Sequence, residues 1–82
     1  MPTIAIIDGI KIEMFFNDHV PPHFHATLAD HEALISIRTL AVLRGSLPPA
    51  AERKVQEWAA THQETLALNW LKCQEREAPE RI

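Results

Sequence analysis

The sequence contains a single cysteine, Cys73, among its 82 residues. One cysteine excludes an internal disulfide, and the first residues do not carry the charged and apolar regions of a secretory signal peptide. Both absences are typical of proteins that work in a reducing compartment, so we expect a cytoplasmic location. Cys73 belongs to the apolar residues of the last part of the chain, with Leu66, Trp70 and Leu71, which favours a small buried side chain over a nucleophile.

Long apolar runs and an excess of positive charge are also missing. The apolar stretches near the start are interrupted by Asp8, Lys11 and Glu13, and they fall short of the roughly 20 residues that cross a bilayer. We therefore expect no membrane partner. The net charge of −3 excludes a protein that coats nucleic acid through a basic surface, although a local site that contacts RNA stays open.

What remains is an ordinary globular composition, with 46% hydrophobic and 23% charged residues. A chain of this length supports one hydrophobic core and buries a modest share of its surface, so a small protein partner or a homodimer would add stability. We expect a single domain over residues 1–76 and a frayed C-terminal tail over residues 77–82.

The residue pattern predicts an α+β fold that opens with a β-hairpin. Residues 3–7 are apolar and β-branched, Asp8-Gly9 is a strong turn signal, and residues 10–14 alternate at a period of two. Residues 23–28 and 32–37 alternate in the same way, and residues 42–44 are a candidate fifth strand. The alternation of the second strand assigns to the core Ile10, Ile12, Met14 and Phe16.

Two helices are predicted after the strands. Pro48 and Pro49 favour the first turn of a helix, and apolar residues recur at helical spacing as far as residue 60. Thr61 and Glu64 fit a capping box for a second helix. The expected fold is a mostly antiparallel sheet of three to five strands, covered on one face by the two C-terminal helices. The predicted core contacts are among Phe24, Ile35, Trp58 and Leu66.

Chemically reactive side chains concentrate in one segment, DHVPPHFH, at residues 18–25. On a strand, His23 and His25 share a face with Cα atoms about 7 Å apart. His19 lies just upstream, in a loop that two prolines stiffen. The candidate site residues are Asp18, His19, His23 and His25, with Pro21, Pro22, Phe24, Arg38 and Arg44 in supporting positions.

Two of three interpretations of this segment are chemical. Imidazole nitrogens and a carboxylate are ligands that zinc and related divalent ions accept, and an open coordination position would give a small metal-dependent hydrolase. No Cys-x-x-Cys or His-Glu-x-x-His spacing accompanies them. The second interpretation needs no cofactor: one histidine accepts a proton and another donates one, as RNA cleavage through the 2′-hydroxyl requires. Arg38 or Arg44 would then hold a phosphate.

The third interpretation is structural, and on base rates it is the default. Here Pro21 and Pro22 set the path of the loop, Asp18 caps its turn, and the histidines face water or a partner protein. This interpretation does not require the imidazoles to converge.

Residues along most of the chain resemble a known family. They are MPTI at the start, GIKIEMFF at residues 9–16, DHVPPHFHA at 18–26, LPP at 47–49, WA at 58–59 and NW at 69–70. Together they are similar to a widespread family of small bacterial domains of unknown function with the signature D-H-x-P-P-H-F-H-A. Asn17 stands where other members tend to have glycine, and asparagine tolerates the left-handed backbone of such a turn.

This resemblance implies a function that the residues alone do not. Members of the family often neighbour a second small domain of unknown function, in a pair that resembles a toxin–antitoxin module. A small cognate protein partner is therefore expected, and the chain would be a toxin-like component, of ribonuclease type if RNA is its target. The alternative is a non-catalytic binding module, the antitoxin or regulatory half of the pair. The motif positions carried over are Asp18, His19, Pro21, Pro22, His23, Phe24 and His25.

Overall fold

A computed structural model describes residues 3–82, which form five β-strands followed by two α-helices. The strands are β1 (Thr3–Ile7), β2 (Ile10–Glu13), β3 (His23–Leu28), β4 (His31–Ser36) and β5 (Val42–Gly45). The helices are α1 (Pro49–Ala60) and α2 (Gln63–Gln74). The predicted α+β class is confirmed, and so is the fifth strand.

The five strands form one antiparallel sheet whose spatial order follows the chain, β1 to β5. The predicted N-terminal hairpin is confirmed, and its two turn residues both have positive φ, 48° at Asp8 and 82° at Gly9. A two-residue turn with positive φ at both positions has a backbone twist that matches the right-handed twist of the flanking strands. The third strand, β3, is central and pairs with β2 and β4.

The pairing register separates the sheet into an apolar face and a polar face. One row across the sheet joins Phe24 to Ile35 and Ile35 to Val42. The neighbouring row runs from Glu13 through His25 and Leu34 to Arg44. Because side chains alternate along a strand, these two rows project to opposite faces. The histidines of β3 therefore lie on the face that carries the charged residues.

The core fills the apolar face, where α1 and α2 cover it. Phe24 and Ile35 are fully buried, as predicted, and the Trp58 ring packs edge-on against Phe24 with centroids 6.2 Å apart. Both helices contribute buried side chains, namely Ala51, Val55 and Ala59 from α1 and Leu66, Trp70 and Cys73 from α2. Cys73 is fully buried in this core, and burial raises the pKa of its thiol.

Two local predictions are wrong, and each has its own cause. Phe16 is 44% exposed rather than buried, since β2 ends at Glu13 and Asn17 turns the chain with a φ of 59°. The capping box at Thr61 does not form, because the Thr61 hydroxyl donates to the Trp58 carbonyl at 2.9 Å and so completes α1. The second helix has His62 at its N-cap, without a side-chain capping bond.

The C-terminal segment, residues 77–82, has no regular secondary structure and is hydrogen-bonded to the domain at two points. Asn69 is buried and makes two hydrogen bonds with the Glu80 backbone, at 3.0 and 2.9 Å. The Ile82 amide donates to the Ile4 carbonyl at 2.7 Å, at the edge strand β1. The buried polar side chain of Asn69 is thus satisfied by the segment that follows α2. Within residues 3–82, neither helix is long and apolar enough to cross a membrane.

Gly45 provides a test of the register between β4 and β5. Its φ of 77° is left-handed, and an added Cβ would lie 3.1 Å from the Glu32 carbonyl carbon and closer still to the carbonyl oxygen. We predict that Gly45→Ala lowers the free energy of unfolding by about 2–4 kcal/mol. The matched control is Gly9→Ala, which has a similar φ but meets only the Leu28 side chain, at 4.0 Å. The control should cost about 1 kcal/mol. Equal losses in urea unfolding would contradict the steric part of this account.

Candidate functional site

The loop of residues 14–22, between β2 and β3, is held by hydrogen bonds in its middle and at its C-terminal end. The Asn17 amide donates to the Cys73 carbonyl at 3.2 Å, and the Gln74 side chain donates to the Asp18 carbonyl at 3.0 Å. At the C-terminal end, the Ile37 amide donates to the Pro22 carbonyl at 3.1 Å. The C-terminal turn of α2 therefore fixes where the loop delivers Asp18.

The Asp18 carboxylate is the point at which the loop meets β3. Its Oδ2 atom lies 3.0 Å from Nε2 of His23 and 3.1 Å from Nε2 of His25. Its Oδ1 atom accepts the backbone amide of His19 at 2.9 Å. One carboxylate oxygen is thus shared by two imidazoles that project from the same face of the same strand.

The second nitrogen of each imidazole also faces an oxygen. Nδ1 of His23 lies 2.8 Å from the Pro21 carbonyl oxygen, and Nδ1 of His25 lies 3.2 Å from Oε2 of Glu32. A carbonyl oxygen can only accept, so Nδ1 of His23 carries a hydrogen and donates it. A carboxylate at Glu32 favours the same tautomer for His25. Both rings therefore turn Nε2 towards Asp18.

Aromatic rings enclose this cluster. The Trp70 ring of α2 lies against His23 with centroids 5.3 Å apart, and the Phe15 ring lies edge-on against His25 at 4.2 Å. The His23 side chain is 4% exposed, His25 12% and Asp18 16%. Electrostatic interactions are stronger in such partly dehydrated surroundings than in water.

These surroundings act on the Asp18 carboxyl in opposite directions. Burial raises its pKa, but the hydrogen bond from His25, the His19 amide, and the charge and hydrogen bond of His23 together outweigh burial. The net effect holds the pKa of Asp18 below its usual value. Asp18 is therefore ionised at neutral pH, with Oδ1 accepting the His19 amide and Oδ2 facing the two Nε2 atoms.

Of the three histidines in the segment, the structure brings two to Asp18. The His19 side chain is 93% exposed, and its Nδ1 atom lies 3.8 Å from Oδ1 of Asp18. It lines a cavity of about 160 Å³ together with His23 and Arg44. His19 therefore lies at the solvent side of the cluster, whereas His23 and His25 lie within it.

The supporting residues divide between the site and the core. Arg38 lines an adjoining cavity of about 460 Å³ that shares Val20 and Pro21 with the His19 cavity. Pro21 and Pro22 act through their carbonyl oxygens, as described above. Phe24 is fully buried on the other face of β3, so it packs the core beneath the site and does not contact a ligand.

Glu32 is a site residue that the sequence analysis missed. It pairs with Thr27 across the β3–β4 hairpin, and its side chain lies on the same face as His25. A register counted outward from the turn at Ala29-Asp30 would have found it, because diagonal neighbours on one face are within reach of long side chains. Trp70 and Gln74 gave no such signal, since they reach the site from α2.

Asp18, His23 and His25 are also a set of residues that can hold a metal ion. Each offers one ligand atom, and the three atoms lie within 4.8 Å of one another. Two imidazole nitrogens and one carboxylate oxygen suit zinc and neighbouring transition metals. The arrangement can therefore act as an ion-pair network that pins the loop or as a metal centre.

Comparison with known proteins identifies the family. A family model described as a domain of unknown function, DUF4160, matches residues 9–71, which is most of the chain, and the chain belongs to this family. Searches of curated proteins and of solved structures each give no match. The resemblance to a family of small domains of unknown function is thus confirmed, while a paired partner stays a prediction.

The shared carboxylate predicts a large effect for a small change. Asp18→Asn keeps the shape but removes the charge that both imidazoles contact, so we predict a loss of about 2–3 kcal/mol in the free energy of unfolding. Asp30→Asn is the matched control, because Asp30 is 96% exposed and lies 3.7 Å from a surface histidine, His31. It should change stability little. Urea unfolding at pH 7 measures both, and equal effects would show that the Asp18 network contributes nothing special.

Proposed function

We propose that this member of the DUF4160 family is the toxin-like component of a bacterial two-protein module, and that it acts on RNA at the cavity lined by His19 and Arg44. The observation that carries the proposal is the composition of that cavity, which joins an exposed imidazole and a guanidinium beside the Asp18 cluster. Cleavage through a 2′-hydroxyl needs a base that takes the hydroxyl proton, a group that holds the phosphate, and an acid that protonates the leaving 5′-oxygen. His19 would be the base, Arg44 would hold the phosphate, and water in the open cavity would protonate the 5′-oxygen.

Arginines supply the phosphate contacts in this proposal. A guanidinium binds two phosphate oxygens at once, in a geometry that an ammonium group cannot copy. Arg44 lines the His19 cavity, and Arg38 lines the adjoining cavity across the Val20-Pro21 rim. Two such groups in adjoining cavities that share Val20 and Pro21 would hold two phosphates of a single strand. A local site of this kind is compatible with the net charge of −3, because it does not need a basic surface.

His19 is the acid–base candidate, and the other two histidines position it. Both ring nitrogens of His23 and His25 already face oxygen atoms of the protein. Neither ring can therefore exchange a proton with a substrate without breaking the cluster. The His19 backbone amide is bound to Asp18 at 2.9 Å, so the cluster fixes the base of the His19 side chain while its ring stays free to meet a substrate.

The cavity rim also fits a protein partner. Val20 is 75% exposed and Leu43 is 46% exposed, and both line the His19 cavity. Exposed apolar side chains around a polar centre are typical of surfaces that another protein covers. A cognate partner seated there would block His19 and Arg44 together, which is how the antitoxin half of a pair would neutralise its toxin.

A second candidate function is the non-catalytic binding module. The observation that favours it is the same saturation of His23 and His25 by Asp18, Pro21 and Glu32. A cluster of this kind is sufficient to lock a loop and present Val20 to a partner without any chemistry. In this case the domain would be the antitoxin or regulatory half of the pair.

Growth of a bacterial host under induced expression separates the two functions. We predict that the wild-type chain arrests growth and that His19→Ala and Arg44→Ala each restore it, because they remove the acid–base group and the phosphate contact. Matched controls are His31→Ala and Arg53→Ala, which change an exposed histidine and an exposed arginine elsewhere. The controls should arrest growth like the wild type. Circular dichroism confirms that each variant is folded.

Two results would contradict the toxin proposal. Harmless expression of the folded wild-type chain would favour the binding module instead. Arrest that persists in both His19→Ala and Arg44→Ala would show that the cavity is not the active surface. Sequencing of RNA ends from arrested cells then tests the substrate, since cleavage should produce new ends that the two variants lack.

A further inference from the structure

We infer that Asp18, His23 and His25 form a binding site for one divalent transition-metal ion of the zinc class. The ligand atoms would be Oδ2 of Asp18 and Nε2 of each histidine. The inference goes beyond the function proposed above and does not depend on it, because metal binding can be measured whether or not RNA is the substrate.

Two of the three ligand separations already match those around a single ion. Zinc lies about 2.0–2.2 Å from nitrogen and oxygen ligands, so two of its ligands at roughly 90–110° are about 3.0–3.4 Å apart. Oδ2 of Asp18 lies 3.0 Å from one Nε2 atom and 3.1 Å from the other. All three ligand atoms lie within 4.8 Å of one another, so rotation of the two rings would close the third separation around an ion.

The donor and acceptor pattern of the cluster also favours a metal. Nδ1 of His23 donates to the Pro21 carbonyl, and Nδ1 of His25 faces the Glu32 carboxylate. An imidazole whose hydrogen is on Nδ1 has a lone pair on Nε2, so both rings present a lone pair to Oδ2 of Asp18. A divalent ion between these three atoms would accept all three lone pairs and leave each Nδ1 contact intact.

Nδ1 of His23 and Nδ1 of His25 face the same kinds of hydrogen-bond acceptor that metal-bound histidines use. A histidine ligand almost always donates its other ring hydrogen to a backbone carbonyl or a carboxylate, which fixes the tautomer and turns the ring. The acceptor is the Pro21 carbonyl for His23, 2.8 Å from Nδ1, and the Glu32 carboxylate for His25, 3.2 Å from Nδ1. Trp70 and Phe15 then hold the two rings in place.

The donor set indicates which ions would bind and what they could do. Two imidazoles and one carboxylate suit zinc, cobalt, manganese or ferrous iron, whereas magnesium and calcium prefer oxygen ligands alone. Three protein ligands leave at least one position for water. His25 and Asp18 keep some exposure, 12% and 16%, so an ion at this point would be reachable from solvent.

Metal binding to the wild-type chain is the primary test. The untagged protein is stripped with a chelator, dialysed against zinc, and its metal content is measured by mass spectrometry. We expect about one ion per chain, together with a rise in the unfolding temperature, because an ion that binds only the folded state stabilises it. Cobalt at the same site should give visible absorption bands of a four- or five-coordinate centre.

Variants assign the ion to the cluster. His25→Ala and Asp18→Asn should abolish zinc binding and the cobalt bands, whereas Glu32→Gln, which changes only the partner of a ligand, should weaken zinc affinity roughly 10-fold. The matched control is His31→Ala, at an exposed histidine, which should bind like the wild type. Zinc content near zero in the folded wild-type chain would overturn the inference, and so would zinc binding that Glu32→Gln, His25→Ala and Asp18→Asn leave unchanged. If His25→Ala does not fold, Glu32→Gln and the cobalt spectrum of the wild type still decide.

Discussion

A single carboxylate oxygen, Oδ2 of Asp18, lies within hydrogen-bond distance of two imidazole nitrogens, and this contact is where the loop joins the central strand of the sheet. The loop carries two prolines that cannot donate backbone hydrogen bonds. Its path is therefore set by a few contacts with the rest of the protein, at Asn17, Asp18 and Pro22. Because Asp18 joins the loop to β3 and α2 together, it couples the cluster to the core.

The antiparallel sheet explains how so small a domain can carry both a core and a site. Alternate residues of β3 project to opposite faces, so Phe24 packs against the helices while His25 lies on the other face. His25 shares a cross-strand row with Arg44, and Leu34 of β4 lies between them. The side chains that stabilise the domain and those that could do chemistry are thus interleaved in one strand. Any shift of register by one residue would exchange the two sets.

The sequence predicts the fold well because its periodicity is strong and its turns are explicit. The Asp8-Gly9 turn and the β-branched alternation lead directly to the hairpin, and Pro48-Pro49 marks the start of α1. The site was predicted less completely. Asp18, His23 and His25 come from one segment and could be proposed together, whereas Glu32, Trp70 and Gln74 reach the site through tertiary packing. The exposure of Phe16 and His19 depends on where the loop turns. The alternation of apolar and polar residues does not predict the position of that turn.

The central claim is that His23 and His25 both turn Nε2 towards Asp18. The most direct test is to measure which nitrogen of each ring carries a hydrogen. Long-range nitrogen–proton NMR spectra of the chain distinguish the two nitrogens of each ring. We predict a hydrogen on Nδ1 of both rings in the metal-free protein, and a zinc-dependent shift of the Nε2 resonances of these two rings alone. A His23 ring without a hydrogen on Nδ1, or rings that respond to zinc no differently from His31, would contradict it.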